Sequence, residues 1–243
     1  MYGAVDIGGT KTLVAVFDND GKIIEQHKFP TPKDYNDFIK DLADNVAKLS
    51  TKDLRRAVVA IPGTPDRKSG TGIVFGNLPW TDVPIEKDVE KVLDCPVQIE
   101  NDTKLAALSE AQYLIDEFSK ILYVTVSTGI SGGLVINGKL DHNLQDIEPG
   151  KMILEHDGRF EQWEDFASGR AIVAKYGKKA SEISDPQVWY VISRNLAVGL
   201  NALIATLDPD VIVIGGGVGS HLDKFQERLV EQLKIYENPM TPV

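Results

Sequence analysis

Two glycine-rich stretches carry residue types that could hold an anion. The first is Asp6-Ile7-Gly8-Gly9-Thr10-Lys11-Thr12, and the second is Thr125-Val126-Ser127-Thr128-Gly129-Ile130-Ser131-Gly132-Gly133. Each falls where one strand-like run turns back into another. Successive backbone N–H groups in such a turn form a concave nest for phosphate. Glycine there permits positive φ and leaves no Cβ between ligand and backbone. Asp6 places a carboxylate at a strand end beside the first nest, an arrangement that implies a cation between the two. Mg²⁺ held by one carboxylate, phosphates and waters fits it. A plain hairpin turn is the alternative. The stretch is not a GxxxxGK[ST] loop, because Lys11 does not directly follow a glycine. It is not a GxGxxG fingerprint either, because a strand-like run follows it.

The elements that must position these residues alternate between strand and helix. Residues 2–7, 12–17 and 22–28 read as strands, with Asn19-Asp20-Gly21 as a hairpin turn. A Ca²⁺ loop at residues 18–21 is excluded for want of the EF-hand ligand pattern. Phe38, Leu42, Ala43, Val46 and Leu49 give helical spacing over 34–49, with a cap near Asp34. Residues 57–61 and 97–100 read as short strands, residues 85–93 and 104–115 as helices. Asp102, at a strand end just before a helix, reads by itself as an N-cap. Residues 121–127 and 132–136 form the second hairpin, in which Thr128 and Gly129 are best placed to donate to phosphate. Asn137-Gly138 is a further turn. Helices follow at 163–176, 187–207 and about 222–233. Residues 211–214 form an apolar strand of the kind covered on both faces. Gly215, Gly216 and Gly217 follow it, and would let a flat ligand approach the backbone. The strand and glycine-hairpin pattern near residues 5–17 recurs near 121–136, as in a duplicated domain.

The 243 residues, 42% of them hydrophobic, suffice for one large or two modest domains. No apolar run approaches the ~20 residues of a membrane span, and the N-terminus lacks a signal-peptide pattern. The single cysteine, Cys95, excludes an intramolecular disulfide and suits a reducing, cytoplasmic setting. A net charge of −10 argues against nucleic acid as partner. No His or Cys cluster has zinc-site spacing. The sequon Asn101-Asp102-Thr103 is taken as coincidence in the absence of a secretory signal.

The stretch Asp6 to Thr12 resembles the opening signature of the ROK family of sugar kinases, in the actin/hexokinase-like superfamily. The resemblance recurs in order along most of the chain. Ile61-Pro62-Gly63-Thr64-Pro65-Asp66 resembles the family's sugar-side loop, and Gly72 to Trp80 its Asn-Leu-x-Trp loop; Asn77 is the sugar contact implied there, and Trp80 is assigned to the core. Glu100-Asn101-Asp102 matches the motif whose Asp is the catalytic base. Glu148-Pro149-Gly150-Lys151 keeps the family's Glu and Gly but carries Lys for its His. No cysteine follows, so the resemblance implies a variant without the structural zinc. Glu164 with Ser168-Gly169 keeps the second Glu. Phe160, Trp163 and Phe166 are expected to pack in place of the zinc loop, and His156 is assigned by default to the solvated surface.

The fold so implied is α/β, with two actin-like (ribonuclease H-like) domains and a ligand cleft between them: a smaller one over 1–102 and a larger one over 103–243. The family usually continues past Met240-Thr241-Pro242-Val243 through another strand and helix. The implied reaction moves the γ-phosphoryl group of ATP to a hexose hydroxyl, foremost the 6-hydroxyl of glucose. Asp102 takes the hydroxyl proton, Asp6 positions Mg²⁺ through water, and Gly8, Gly9, Thr10, Lys11, Thr128 and Gly129 face the phosphates. Gly215, Gly216 and Gly217 meet the adenosine. Asn101, Glu148 and Glu164, with Gly63, Asn77 and Lys151, meet the sugar. Alternatives are N-acetylmannosamine, N-acetylglucosamine or fructose as acceptor and polyphosphate as donor. From another class comes a non-catalytic sugar-binding regulator, against which both aspartates argue. Partners are small molecules and, as is usual in the family, a second copy in a homodimer.

Overall fold

A computed structural model describes residues 1–51, 53–141 and 143–235; Met240 to Val243, where the family would continue, lie outside them. The chain divides into two compact units, Met1–Leu105 and Ala106–Val243.

Unit 1 contains β1 (Tyr2–Ile7), β2 (Lys11–Phe17), β3 (Ile23–Pro30), α1 (Tyr35–Val46), β4 (Arg56–Ile61), β5 (Gly63–Asp66), β6 (Thr71–Phe75), β7 (Thr81–Val83), α2 (Ile85–Leu93) and β8 (Val97–Asn101); α3 (Asp102–Ala111) begins in it. Its main sheet runs β3-β2-β1-β4-β8. The β1/β2 and β2/β3 pairs are antiparallel, while β4 pairs parallel with both β1 and β8. Along β1 the alternation of a strand sends Val5 and Ile7 into the core and Asp6 to the opposite face. Phe38 and Leu42 of α1 and Val89 of α2 close the core. Asp34 caps α1 by accepting from the Asn36 and Asp37 amides, a contact worth about 1 kcal/mol. Of the two loops expected at 61–66 and 72–80, residues 63–66 and 72–75 lie in strands β5 and β6, which with β7 form an antiparallel sheet, while residues 76–80 lie outside any strand or helix. Trp80 is 3% exposed among Tyr35, Phe38 and Phe75, as a core residue should be.

Unit 2 contains β9 (Lys120–Val126), β10 (Ile130–Ile136), β11 (Lys139–Leu140), β12 (Ile153–His156), β13 (Arg159–Gln162), α4 (Trp163–Ala167), α5 (Gly169–Tyr176), α6 (Pro186–Leu207), β14 (Val211–Gly215), α7 (Gly216–Gly219) and α8 (Gln226–Ile235). Its main sheet, β11-β10-β9-β14, repeats the pattern of unit 1. The glycine-hairpin strand β9 pairs antiparallel with β10 and parallel with β14, as β1 does with β2 and β4. The long helix α6, expected over 187–207, has the length and apolar content of a membrane span. Its Trp189, Ile192, Leu196, Leu200 and Leu203 are nonetheless buried in the core of unit 2.

Three expected helices differ in extent. The helix expected over 163–176 breaks at Ser168, which leaves helical φ/ψ and caps α5. The one expected from 222 begins as a single 3-10 turn and resumes at Gln226. Helix α3 starts two residues early and stops at Ala111. Residues 153–162 form the hairpin β12/β13, turning on Asp157 and Gly158, both at positive φ. The aromatic packing expected there holds for Trp163 and Phe166, which are buried, but Phe160 is 79% exposed on the outer face.

Candidate active site

In unit 1, strand register brings two sequence-distant carboxylates toward one another. Asp6 on β1 pairs with Ala60 on β4, and Ala60 pairs with Glu100 on β8; Asp102 follows two residues later. Asp6 has its carboxyl raised by burial, partly offset by Lys28. Burial also raises the Asp102 carboxyl; the Thr103 amide opposes this, and the negative charge of Asp6 adds to it. Both side chains remain open to water, so a ligand can reach them.

Asp102 is the first residue of α3, but Asn101 does most of the capping. Its Oδ1 accepts from the amides of Thr103 (3.0 Å) and Lys104 (3.2 Å), and its Nδ2 donates to the Gly63 carbonyl at 2.9 Å. Asn101 and Gly63, both assigned to the sugar from sequence, are thus committed in large part to holding Asp102 in place. Behind them Arg67 grips Glu100 with Nε and one terminal nitrogen, at 2.7 and 2.5 Å. A two-point pair of this kind fixes orientation as well as charge.

The 8–10 turn is braced from outside. The Thr31 hydroxyl donates to the Gly8 carbonyl and the Thr31 amide to the Thr10 carbonyl. Lys33 Nζ donates to the carbonyls of both Gly9 and Asn77, at 3.2 and 3.1 Å. Gly8 donates its amide to Lys11 O, so it is not available to phosphate as expected. The amides of Gly9 and Thr10 have no acceptor among the described residues. Neither Gly8 nor Gly9 has positive φ. What excludes a side chain at Gly9 is space, since a Cβ would lie 2.5 Å from Asn77 Cβ.

In unit 2, the second turn packs on the start of α5. The Gly169 amide donates to Ser127 O at 2.7 Å and the Arg170 amide to Thr128 O at 3.3 Å. The amides of Thr128 and Gly129 find no acceptor among the described residues. Glu164, at the start of α4, reaches this turn: its Oε2 accepts from the Ile130 amide at 3.3 Å. Its Oε1 takes Lys151 Nζ at 2.6 Å and an Arg170 guanidinium nitrogen at 3.4 Å. Burial pushes the Glu164 carboxyl up, but the Lys151 and Ile130 contacts outweigh it and hold it below its ordinary range. Lys151 and Glu164, both assigned to the sugar, are therefore joined as an ion pair. Glu148 precedes the 3-10 turn Pro149–Lys151 and is exposed.

A cavity of about 670 Å³ opens beside this turn, lined by Ser127, Thr128, Gly169, Arg170, Val173, Ala174, Lys179, Ala180, Ser181, Gly217 and Val218. Only one of the three consecutive glycines faces it. A Cβ at Gly215 would collide with the Tyr123 ring, and Gly216 holds φ +84° against the Val126 carbonyl. At Gly217 a Cβ would meet nothing within 4 Å, so open space begins there.

Sequence reasoning passed over Arg67, Lys104 and Arg170. Lys104 is 1% exposed, and its charge lowers the Asp102 carboxyl. A lysine in the first turn of a helix after a motif aspartate was the only available signal, and it reads as an ordinary surface cation. His156 is not a solvated surface residue. Its ring stacks on Phe166 at 4.1 Å, with Nδ1 2.8 Å from Glu161 Oε1 and Nε2 3.3 Å from Asn195 Oδ1. Among the described residues, no cluster of three or more His, Cys, Asp or Glu side chains could hold a metal by itself. Asp6 does fit the sparser requirement of Mg²⁺, which takes one or two carboxylates and completes its shell with phosphate and water.

Duplicated sheets, each carrying a glycine turn on a central strand, define the actin-like α/β class, and the polar groups above are those that phosphate handling needs. The chain belongs to the ROK family, whose sequence model matches residues 2–241. It is 31% identical to an N-acetyl-D-glucosamine kinase from Citrobacter koseri, over all of this chain and 92% of that protein. It is 32% identical to a Bacillus subtilis protein provisionally named a fructokinase, over 90% of this chain and 77% of that one. Its fold matches a ROK family glucokinase from Streptomyces griseus, solved with glucose and AMPPNP, at a TM-score of 0.78 and 26% identity, covering 100% and 92% of the two chains.

Proposed function

We propose that this protein is an ATP-dependent sugar kinase that phosphorylates the 6-hydroxyl of a gluco-configured hexose, glucose or its 2-acetamido derivative. The observation that carries this is the pair Asp6 and Asp102, two exposed carboxylates that strand register aligns in one unit, with the unengaged amides of Gly9 and Thr10 in the turn that follows Asp6. Phosphoryl transfer asks a protein for positioning and charge stabilisation more than for covalent chemistry. Asp102 accepts the hydroxyl proton as the oxygen attacks, and a carboxyl raised toward working pH is the better base for that task. Asp6 would hold Mg²⁺, which when bound neutralises charge on the phosphates. Gly9 and Thr10 donate to phosphate oxygens.

The acceptor reading is supported by the named relatives, a glucokinase and N-acetylglucosamine kinases. Glu164, Glu148 and Lys151 offer acceptors and donors for sugar hydroxyls. ATP is favoured over polyphosphate because the cavity at Gly217 is walled largely by Val173, Ala174, Ala180 and Val218, which suits a base. The test is a coupled assay over glucose, N-acetylglucosamine, N-acetylmannosamine and fructose, with ATP and with polyphosphate. Turnover of a gluco-configured sugar with ATP is the expected result; no turnover with any pair contradicts it. The cytoplasmic homodimer implied by family resemblance is checked separately by light scattering and by fractionation.

A further inference from the structure

Arg170 touches both halves of the machinery in unit 2. It lines the cavity assigned to the nucleotide, and the same terminal nitrogen lies 3.4 Å from Glu164 Oε1 and 3.5 Å from Asp165 Oδ1. Charge-assisted N–H···O contacts settle at about 2.7–2.9 Å, so both are slack. Lys151 on the same Glu164 oxygen, at 2.6 Å, is not. The other guanidinium nitrogens of Arg170 have no partner among the described residues, and its side chain is 57% exposed. A guanidinium so held is available to a stronger anion, and phosphate is one that it can meet at two points.

We propose that Arg170 is a positioning residue that couples occupancy of the donor cavity to the readiness of Glu164 for the acceptor. When a nucleotide phosphate enters, Arg170 turns to it and leaves Glu164. Oε1 then keeps Lys151 as its partner and regains a lone pair for a sugar hydroxyl. Without the nucleotide, Arg170 competes with the sugar for that oxygen. The coupling is reciprocal, because what the donor does for the acceptor the acceptor must do for the donor. This rests on the kinase reading and on Glu164 as a sugar contact.

The test is calorimetric. The dissociation constant of the sugar with the highest turnover in the panel is measured with and without saturating AMPPNP, in wild type, Arg170→Met and Arg170→Lys. The ratio of the two constants is the readout, because a merely structural role for Arg170 would not move it. Wild type is expected to show sugar binding about fivefold or more tighter with AMPPNP. Arg170→Met is expected to bring the ratio close to one, and Arg170→Lys, which keeps the charge but not the fork, to an intermediate value. A wild-type ratio near one overturns the proposal, as does a wild-type-like ratio in Arg170→Met. Failure of every sugar in the panel to be phosphorylated would sink the kinase reading itself, and this inference with it.

Discussion

Asp6 raises the proton affinity of Asp102. Asp6 lies on β1 and Asp102 opens α3 directly after β8, and the parallel pairing of β4 with both β1 and β8 puts Asp102 two residues beyond the level of Asp6. A carboxylate meant to be a base gains from a second one nearby, since like charge makes ionisation harder and the ionised form a better proton acceptor.

That relationship has a sign that can be measured. The Asp102 carboxyl, followed by carbon-detected NMR in the ligand-free protein, should titrate above the ordinary aspartate value of 3.8. In Asp6→Asn the neighbouring charge is gone, and the midpoint should move down. An unchanged midpoint would separate the two residues.

The three glycines after β14 should behave differently when each is changed to alanine. Gly215→Ala meets the Tyr123 ring and should destabilise the protein by about 1–3 kcal/mol in chemical denaturation. Gly217→Ala meets nothing within 4 Å and should leave stability within about 0.5 kcal/mol. It should nonetheless weaken AMPPNP binding severalfold, because its methyl would occupy the cavity. Unchanged AMPPNP affinity in Gly217→Ala would remove Gly217 from the nucleotide site.

Glu164 is held below its ordinary value of 4.5, so it binds fewer protons in the folded state than in the unfolded one. Its contribution is present above pH 4.5 and is lost as pH falls through the lower folded value. The stability gap between wild type and Glu164→Gln should therefore be widest near neutrality and close in acid. A gap independent of pH would mean that the Lys151 pairing does not stabilise the fold.

Much of this was legible in the sequence, for physical reasons. The hairpins at Gly8-Gly9 and Thr128-Gly129 could be read because a glycine turn between apolar runs has few other uses. Asp102 could be assigned only through family resemblance, since a lone Asp before a helix is first an N-cap; in the structure Asn101 does most of that capping, and Asp102 stays open to water. Residues 63–66 and 72–75 were not legible as strands because Pro and Gly density hides strands of four or five residues. The positive φ expected at Gly8 and Gly9 is absent; a Cβ is excluded at Gly8 by the Lys11 carbonyl of the same turn and at Gly9 by Asn77, which is brought in from elsewhere in the chain. His156 and Arg170 were missed or undervalued for the same reason. Their partners Phe166, Asn195 and Glu164 are fixed by tertiary packing, which no spacing rule encodes.

The most direct test of the central claim, that Asp102 is the base in phosphoryl transfer to a sugar, is turnover by Asp102→Asn. The variant should still bind AMPPNP and sugar, while kcat falls by about 10²–10⁴-fold or more. Turnover near that of wild type, with folding and ligand binding intact, would contradict it.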